Sequence, residues 1–262
     1  MKFTLENKWV LITGASSGFG AAAATAFAAH GARLLLGARR LDRLEKVAAK
    51  AKKSGAARAL FHELDVSKTA SVETFIAWVK EKIKAQPLQV LINNAGGAQG
   101  VDTVATGKDE DWETMLQSNV LGVLRMTRAA LPLLPHEAGA SIINIGSVAG
   151  RTAYAGGSAY CAAKAGELQI TRALRHELFG TGIRVSTVDP GLAETEFSIV
   201  RFKGDTKKAA NVYTGTNPLV AEDIAEILVW IAARPPHVNI DELIVKPVDQ
   251  VEVGKVFRRT KG

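Results

Sequence analysis

Several things are scarce in this sequence, and each scarcity closes a line of interpretation. It holds one cysteine, Cys161, in 262 residues, so no internal disulfide can form. No apolar run approaches the ~20 residues that a bilayer-spanning helix needs. Residues 1–8 offer no apolar stretch of signal-peptide length before the first strand-like run, so cytoplasmic residence is the expectation. The five histidines are scattered, and no Cys/His spacing suits a metal. Aromatic residues make up 6 %, and none interleave with the basic clusters as a platform for single-stranded nucleic acid requires. Internal repeats, linkers and shifts of composition are also missing, which points to a single domain, 1–262.

What the sequence does have is ordinary globular composition, 47 % hydrophobic and 23 % charged, with a basic balance of +7. That balance admits nucleic acid or an anionic membrane as partner, or a solvated basic surface around an anionic small molecule. The basic residues gather at 46–53, 80–84 and 203–208. The first two clusters fall on amphipathic helical patterns, where a solvated face is the plainer explanation. A small-molecule substrate is expected, with neither nucleic acid nor membrane. Cys161 lies in an Ala-rich helical run, 159–165, where a small buried filler suits it better than a nucleophile needing a nearby base.

Apolar strand-like runs alternate with helical periods nearly to the end. Strands are expected at 9–13, 33–37, 57–62, 89–92, 140–145, 183–188 and around 243–245. Helices are expected at 21–29, 41–53, 71–84, 111–131, 159–179 and 221–233. A polar, basic insertion at 195–216 breaks the rhythm. Such alternation, with nearly uninterrupted apolar strands, gives an α/β fold: a doubly wound parallel sheet covered on both faces by helices. Its ligand then lies at the carboxyl ends of the strands.

The first strand runs into Thr13-Gly-Ala-Ser-Ser-Gly-Phe-Gly20 and a helix follows at once. Gly14, Gly18 and Gly20 allow a tight turn and close approach of a pyrophosphate to the helix N-terminus, with Ser16, Ser17 and Phe19 between them. No Lys-Ser/Thr follows Gly20, so the turn is no P-loop. It marks the sheet as Rossmann-type. The second strand ends Gly37-Ala-Arg-Arg40, without the acid that would bind both ribose hydroxyls of NAD. Arg39 and Arg40 suit the 2′-phosphate of NADP, although two arginines can also simply open a surface helix.

Seven matching pieces now stand in order: the glycine turn, Asp65-Val66, Asn93-Asn-Ala-Gly96, Asn119, Ser147, Tyr160-x-x-x-Lys164 and Pro190-Gly191. Together they resemble the short-chain dehydrogenase/reductase family over nearly the whole chain. The resemblance implies NADP(H)-dependent hydride transfer, with Tyr160, Lys164, Ser147 and Asn119 as the catalytic set. Tyr160 and Lys164 lie four apart and so share a helix face. An ammonium nearby would lower the phenol's pKa, letting Tyr160 exchange a proton with the substrate oxygen. Ser147 would hydrogen-bond that oxygen. By resemblance, Asn119 holds a water linking Lys164 to solvent, and Lys164 binds the nicotinamide ribose. Asn94, Ala95 and Gly96 would line the cofactor, and Asp65 and Val66 would contact adenine. The stretch from Pro190 and Gly191 through Thr195 to Phe197 would close over the nicotinamide. In isolation, Ser147 could merely cap a turn and Asn119 could be a solvated helix residue.

Three further stretches are similar to a subgroup, the NADP-dependent 3-hydroxy acid dehydrogenases, which includes serine 3-dehydrogenase and L-allo-threonine dehydrogenase. These are Tyr154-Ala-Gly-Gly157, the run from Thr195 to Asp205, and His237 to Ile240 with Pro247-Val248. The similarity implies a short 3-hydroxy acid as substrate and a homotetramer, the long helices offering apolar faces. Thr152-Ala153 stands where the subgroup often has Trp-Pro, and Ser158 where it often has Asn; both fall on the substrate side and bear on pocket size and amino-group recognition. An acid substrate needs a buried cation. Arg201, flanked by Phe197 and Phe202 in a lid at 195–216, is the first candidate and Arg151 its rival, while a plain solvated basic loop is the alternative. A reductase of broader ketones or aldehydes in the same fold is the second functional reading. A non-catalytic NADP(H)-binding sensor is the third, and the intact Tyr160–Lys164 pair argues against it.

Overall fold

The first strand, β1 (Trp9–Thr13), is buried at every residue, as expected for a parallel strand covered on both faces. In the computed structural model it sits mid-sheet, and the structure describes residues 4–136 and 139–259. Residues 1–3, which open the N-terminal stretch, and 137–138 and 260–262 of the expected domain lie outside the described residues. Beside β1 run β2 (Arg33–Ala38), β3 (Arg58–Glu63), β4 (Leu88–Asn93), β5 (Ser141–Ile145), β6 (Arg184–Pro190) and β7 (Glu242–Val245). All pair in parallel in the order β3-β2-β1-β4-β5-β6-β7. The order reverses between β1 and β4, and such a switch point leaves a crevice at the carboxyl ends.

Alternation along the strands divides the core in two. Val10, Ile12, Leu34 and Leu36 pack with Phe27 of α1 (Gly18–Ala29), Leu44 of α2 (Leu41–Lys53) and Leu228 of α9 (Ala221–Ala232). Trp9, Leu11 and Leu35 face the other way, onto Phe75 and Val79 of α3 (Thr69–Ile83). Arg184, at the start of β6, donates to the carbonyls of Ile231 and Ala232, holding the orphan carbonyls that end α9.

Departures from expectation are local. The first helix begins at Gly18, three residues early, because the glycine turn itself winds into it. The helix expected at 111–131 is α4 (Asp109–Leu116), a wider π turn (Gln117–Leu121) and α5 (Gly122–Ala130). The helix expected at 159–179 is α6 (Ser158–Glu177). The insertion at 195–216 is not irregular loop; it forms α7 (Phe197–Arg201) and α8 (Thr206–Asn211). A hairpin of β8 (Gln250–Glu252) and β9 (Lys255–Val256) was not foreseen, being too short to show a period. Among the described residues no helix is long and apolar enough to cross a membrane.

Candidate active site

The carboxyl ends of the central strands open into a cleft of about 990 Å³. At its floor the glycine turn is locked to the β4 end: Thr13 Oγ1 accepts from the amides of Asn94 and Ala95 at 3.0 and 2.9 Å. Asn94 Nδ2 donates back to the Thr13 carbonyl at 2.9 Å. Gly14 has φ +65°, and a Cβ there would stand 2.8 Å from Asn94 Nδ2, so glycine is required twice over. No side chain caps the first turn of α1, which leaves its amides for an anion. These features fit a dinucleotide pyrophosphate. At the β2 end Arg40 donates to Ser16 Oγ at 3.1 Å and Ser17 Oγ at 2.8 Å. Asp65 accepts from the Ser67 hydroxyl at 2.6 Å and lies near Arg39; burial pushes its carboxyl up, but these partners hold it below the usual range.

α6 places Tyr160 and Lys164 one turn apart, both buried. Burial pushes the Tyr160 phenol up to about 12, with the Ser147 hydroxyl and the Arg201 guanidinium pulling the other way. This corrects the expectation of a phenol lowered by its lysine. Lys164 spends a donor on the Ile145 carbonyl at 2.6 Å, and burial lowers its own pKa against the pull of Glu167 and Asp189. Ser147 caps a short 3₁₀ turn by accepting from the Ala149 amide at 3.1 Å, and also lines the cleft. Asn119 is buried in the π turn, where a wider turn re-aims a side chain. Its amide donates to the Gly97 carbonyl at 2.9 Å and accepts from the Gly97 N–H at 3.2 Å. It is not a solvated helix residue.

Arg201 reaches over the same tyrosine, its guanidinium carbon 5.9 Å from the Tyr160 ring centroid and 5.4 Å from that of Tyr154. Its Nε donates to the Gly100 carbonyl at 3.1 Å and its guanidinium also reaches the Tyr154 hydroxyl, while its buried Nη2 has no well-aligned partner among the described residues. Phe197 stands 5.6 Å from Tyr160, centroid to centroid. The lid is docked rather than solvated: the Gly100 amide donates to the Arg201 carbonyl at 2.9 Å, and Lys203 pairs with Asp111 at 2.7 Å.

Residues 8–205 match the family model for short chain dehydrogenase. The chain belongs to the short-chain dehydrogenase/reductase family. Its curated relatives include the NADP-dependent 3-hydroxy acid dehydrogenase of Schizosaccharomyces pombe, 43 % identical over 97 % of this chain and 98 % of that protein. The sulfoacetaldehyde reductase of Chromohalobacter salexigens is 44 % identical over 92 % of this chain and 94 % of that protein. Among solved structures, the closed form of serine dehydrogenase complexed with NADP+ has a TM-score of 0.87 at 39 % identity, covering 96 % of this chain and 100 % of that one. A short-chain dehydrogenase/reductase is an oxidoreductase acting on hydroxyl and carbonyl groups.

Within this short-chain dehydrogenase/reductase cleft the structure gathers Gly14, Ser16, Ser17, Gly18, Phe19, Arg39, Arg40, Asp65, Val66, Asn94, Ala95, Gly96, Ser147, Tyr160, Lys164, Pro190, Gly191, Thr195, Phe197 and Arg201. Gly20 stands behind the lining; a Cβ there would come 2.6 Å from the Gly14 carbonyl oxygen, so its work is close packing. Arg151 is corrected as a carboxylate candidate, because Asp189 at 2.5 Å and Glu242 at 2.6 Å already hold it. Thr152, Ala153 and Ser158 are exposed and do not line the cleft. Cys161 is a buried filler beside Tyr160 and Met115.

Sequence reasoning missed four features. Tyr154 lies under Arg201, and Gln250, Val253 and Gly254 bring the unforeseen hairpin to the cleft. Arg43 and Glu196 pair at the β2 end; an arginine one helical turn beyond Arg40 was the available signal. Glu167 is fully buried three residues after Lys164, and a polar file leads to it through the sheet. In that file Asn93 donates to Asn144, Asn144 to Thr171 and Thr171 to Glu167, at 2.9, 2.8 and 3.1 Å. Burial raises the Glu167 carboxyl, with Lys164 opposing.

Proposed function

We propose that this chain is an NADP-dependent dehydrogenase of short 3-hydroxy acids such as serine, allo-threonine or 3-hydroxypropionate, oxidising the β-hydroxyl or running the reverse reduction. The substrate class rests on Arg201, whose buried Nη2 lacks a partner above the ring of Tyr160. Leaving a buried donor unpaired costs about 1–3 kcal/mol, more when charged, and a carboxylate relieves it with a strong charge-assisted bond. The 3-hydroxy acid and serine dehydrogenases among the relatives support the same class, and the sulfoacetaldehyde reductase supports an anionic substrate more broadly. Arg39 and Arg40, in place of an acid at the β2 end, support NADP.

When bound, NADP+ supplies the hydride acceptor for the β-carbon. In the reduction the protonated Tyr160 phenol gives its proton to the carbonyl oxygen, in the oxidation its phenolate takes the hydroxyl proton, and Ser147 hydrogen-bonds the same oxygen as its charge changes. Lys164, fixed on Ile145, keeps further donors for the ribose. Asn119, tied to Gly97, holds the inner end of the path by which the proton leaves. Arg201 grips the carboxylate and Phe197 shields the mouth as the lid closes. A sulfonate offers the same guanidinium similar oxygens. The enzyme works as a homotetramer, and Leu116, Leu121 and Leu124, 44 %, 37 % and 44 % exposed along one helical run, support an apolar face for assembly.

The test is Arg201→Ala, assayed on a 3-hydroxy acid, a sulfoacetaldehyde and an uncharged alcohol of the same size. Losing a charge-assisted bond should cut kcat/KM for the anionic substrates about 10- to 100-fold, and by less than about threefold for the alcohol. Equal loss on all three, or none, places the acid group elsewhere and removes this reading.

A further inference from the structure

The Arg40 end of the cleft is not simply open to an anion. Arg40 Nη1 donates to Glu196 Oε2 at 3.1 Å. Arg43 Nη1 lies 2.5 and 2.7 Å from the two Glu196 oxygens. The remaining Arg40 nitrogens face Ser16 and Ser17 of the glycine turn. A carboxylate of this chain therefore sits on Arg40, one of the two arginines that the sequence assigns to a 2′-phosphate, and on Arg43 one helical turn beyond it. Burial works to raise the Glu196 carboxyl, yet the hydrogen bonds from Arg43 and Arg40 outweigh it and keep the group ionised at neutral pH.

Two physical facts make this pairing more than a surface bridge. The first is charge. Two guanidiniums carry about two positive charges, and a phosphate monoester brings nearly two negative ones at pH 7. With the carboxylate still in place the Arg40–Arg43 pair alone would be outnumbered, Arg39 on the cleft wall bringing the sum only to about zero, and the shared donors would be claimed twice. The 2′-phosphate and Glu196 are thus rivals for the same N–H groups. The second fact is position. Glu196 directly precedes α7, and its carbonyl accepts the Val200 amide that closes the first turn. The same short helix carries Phe197, packed on Tyr160, and Arg201, whose free nitrogen overlies the tyrosine. Helix α7 is one turn and a half, so Glu196 before it and Arg201 at its end lie only about 8 Å apart along the helix axis.

We propose that Glu196 is a positioning residue whose carboxylate exchanges with the 2′-phosphate of NADP on Arg40 and Arg43, so that filling the phosphate site releases α7 and sets Arg201 for the acid substrate. The exchange makes the 2′-phosphate both a recognition element and a signal to the substrate end. NAD, lacking that phosphate, leaves Glu196 on its arginines and α7 where it stands. The inference rests on NADP being the cofactor.

The experiment uses fragments that carry no hydride chemistry: adenosine 2′-monophosphate and adenosine 5′-monophosphate, titrated by calorimetry into wild type and Glu196→Gln. Glutamine keeps size and polarity but removes the competing charge. Wild type should prefer the 2′ isomer, and Glu196→Gln should bind it about three- to tenfold tighter, with the 5′ isomer unchanged within about twofold, the scale of one or two part-exposed ion pairs. Amide exchange over residues 197–202 gives a second readout. Saturating 2′ isomer should speed it in wild type, whereas Glu196→Gln should exchange fast with or without ligand. Weaker binding of the 2′ isomer by Glu196→Gln would mean that Glu196 orients the arginines for phosphate, and no change that it never meets the phosphate; either overturns the exchange. A wild type that does not distinguish the two isomers overturns the NADP reading itself.

Discussion

Arg201 is the first candidate for the substrate acid and Arg151 its rival, and the fold treats them differently. Arg151 lies at the end of the turn after β5 and is closed between Asp189 and Glu242. The Glu242 carboxylate is shared in turn with Arg172 at 2.6 Å. That cluster crosslinks the β5 turn, β6, β7 and α6, and every charge in it is answered by protein. Arg201 leans on two aromatic rings, one carbonyl and the Tyr154 hydroxyl, meets no carboxylate among the described residues, and keeps its buried Nη2 open. A guanidinium matched by carboxylates is a structural tie, whereas one buried beside a reacting group with a donor left over is built for a ligand.

The sharpest way to break this contrast acts on the group that Arg201 overlooks. Tyr160→Phe keeps the ring beneath Arg201 and removes the proton donor, so kcat should fall by about 10³-fold while NADPH still binds, as measured by fluorescence titration. Retention of more than about a tenth of wild-type kcat would mean another acid serves the reaction, and Arg201 would then overlook a bystander.

Arg151→Met should do the opposite: a stability loss with no selectivity between acid and alcohol substrates. Breaking a buried pair and leaving Asp189 uncompensated costs on the order of 3 kcal/mol, or roughly 5–10 °C in Tm by calorimetry. A selective loss on acid substrates with unchanged Tm would reverse the two roles.

A smaller effect follows from acid. Arg172 is the largest cause holding the Glu242 carboxyl at about 2, with burial opposing and Arg151 adding to the lowering. A folded-state value below the unfolded 4.5 contributes stability above about pH 4.5 that is lost as pH falls toward about 2. Denaturant midpoints measured from pH 6 to 2.5 should drop over that window in wild type and less steeply in Glu242→Gln. Parallel curves would show that this cluster is no tie. The mildest test concerns the outer face: light scattering at micromolar concentration should report a tetramer, and Leu124→Lys should shift it toward smaller assemblies without loss of helix signal.

The order of strands and helices, the glycine turn and the Tyr160–Lys164 pair were legible from sequence because each depends on neighbours close along the chain. A φ of +65° at Gly14 is free of strain for glycine and costly for most other residues, and a spacing of four puts two side chains on one helix face in any fold. Alternating apolar strands require cover on both sides, so the parallel sheet followed from pattern alone. Tertiary structure decided which charges meet. Arg151 finds Asp189 and Glu242 38 and 91 residues on, Arg201 finds Gly100 101 residues back, and Arg40 finds Glu196 156 residues on. It also decided that Asn119 occupies a π turn and that burial raises Tyr160 instead of Lys164 lowering it. Partner choice and desolvation depend on packing between distant segments, and no periodicity or spacing encodes them.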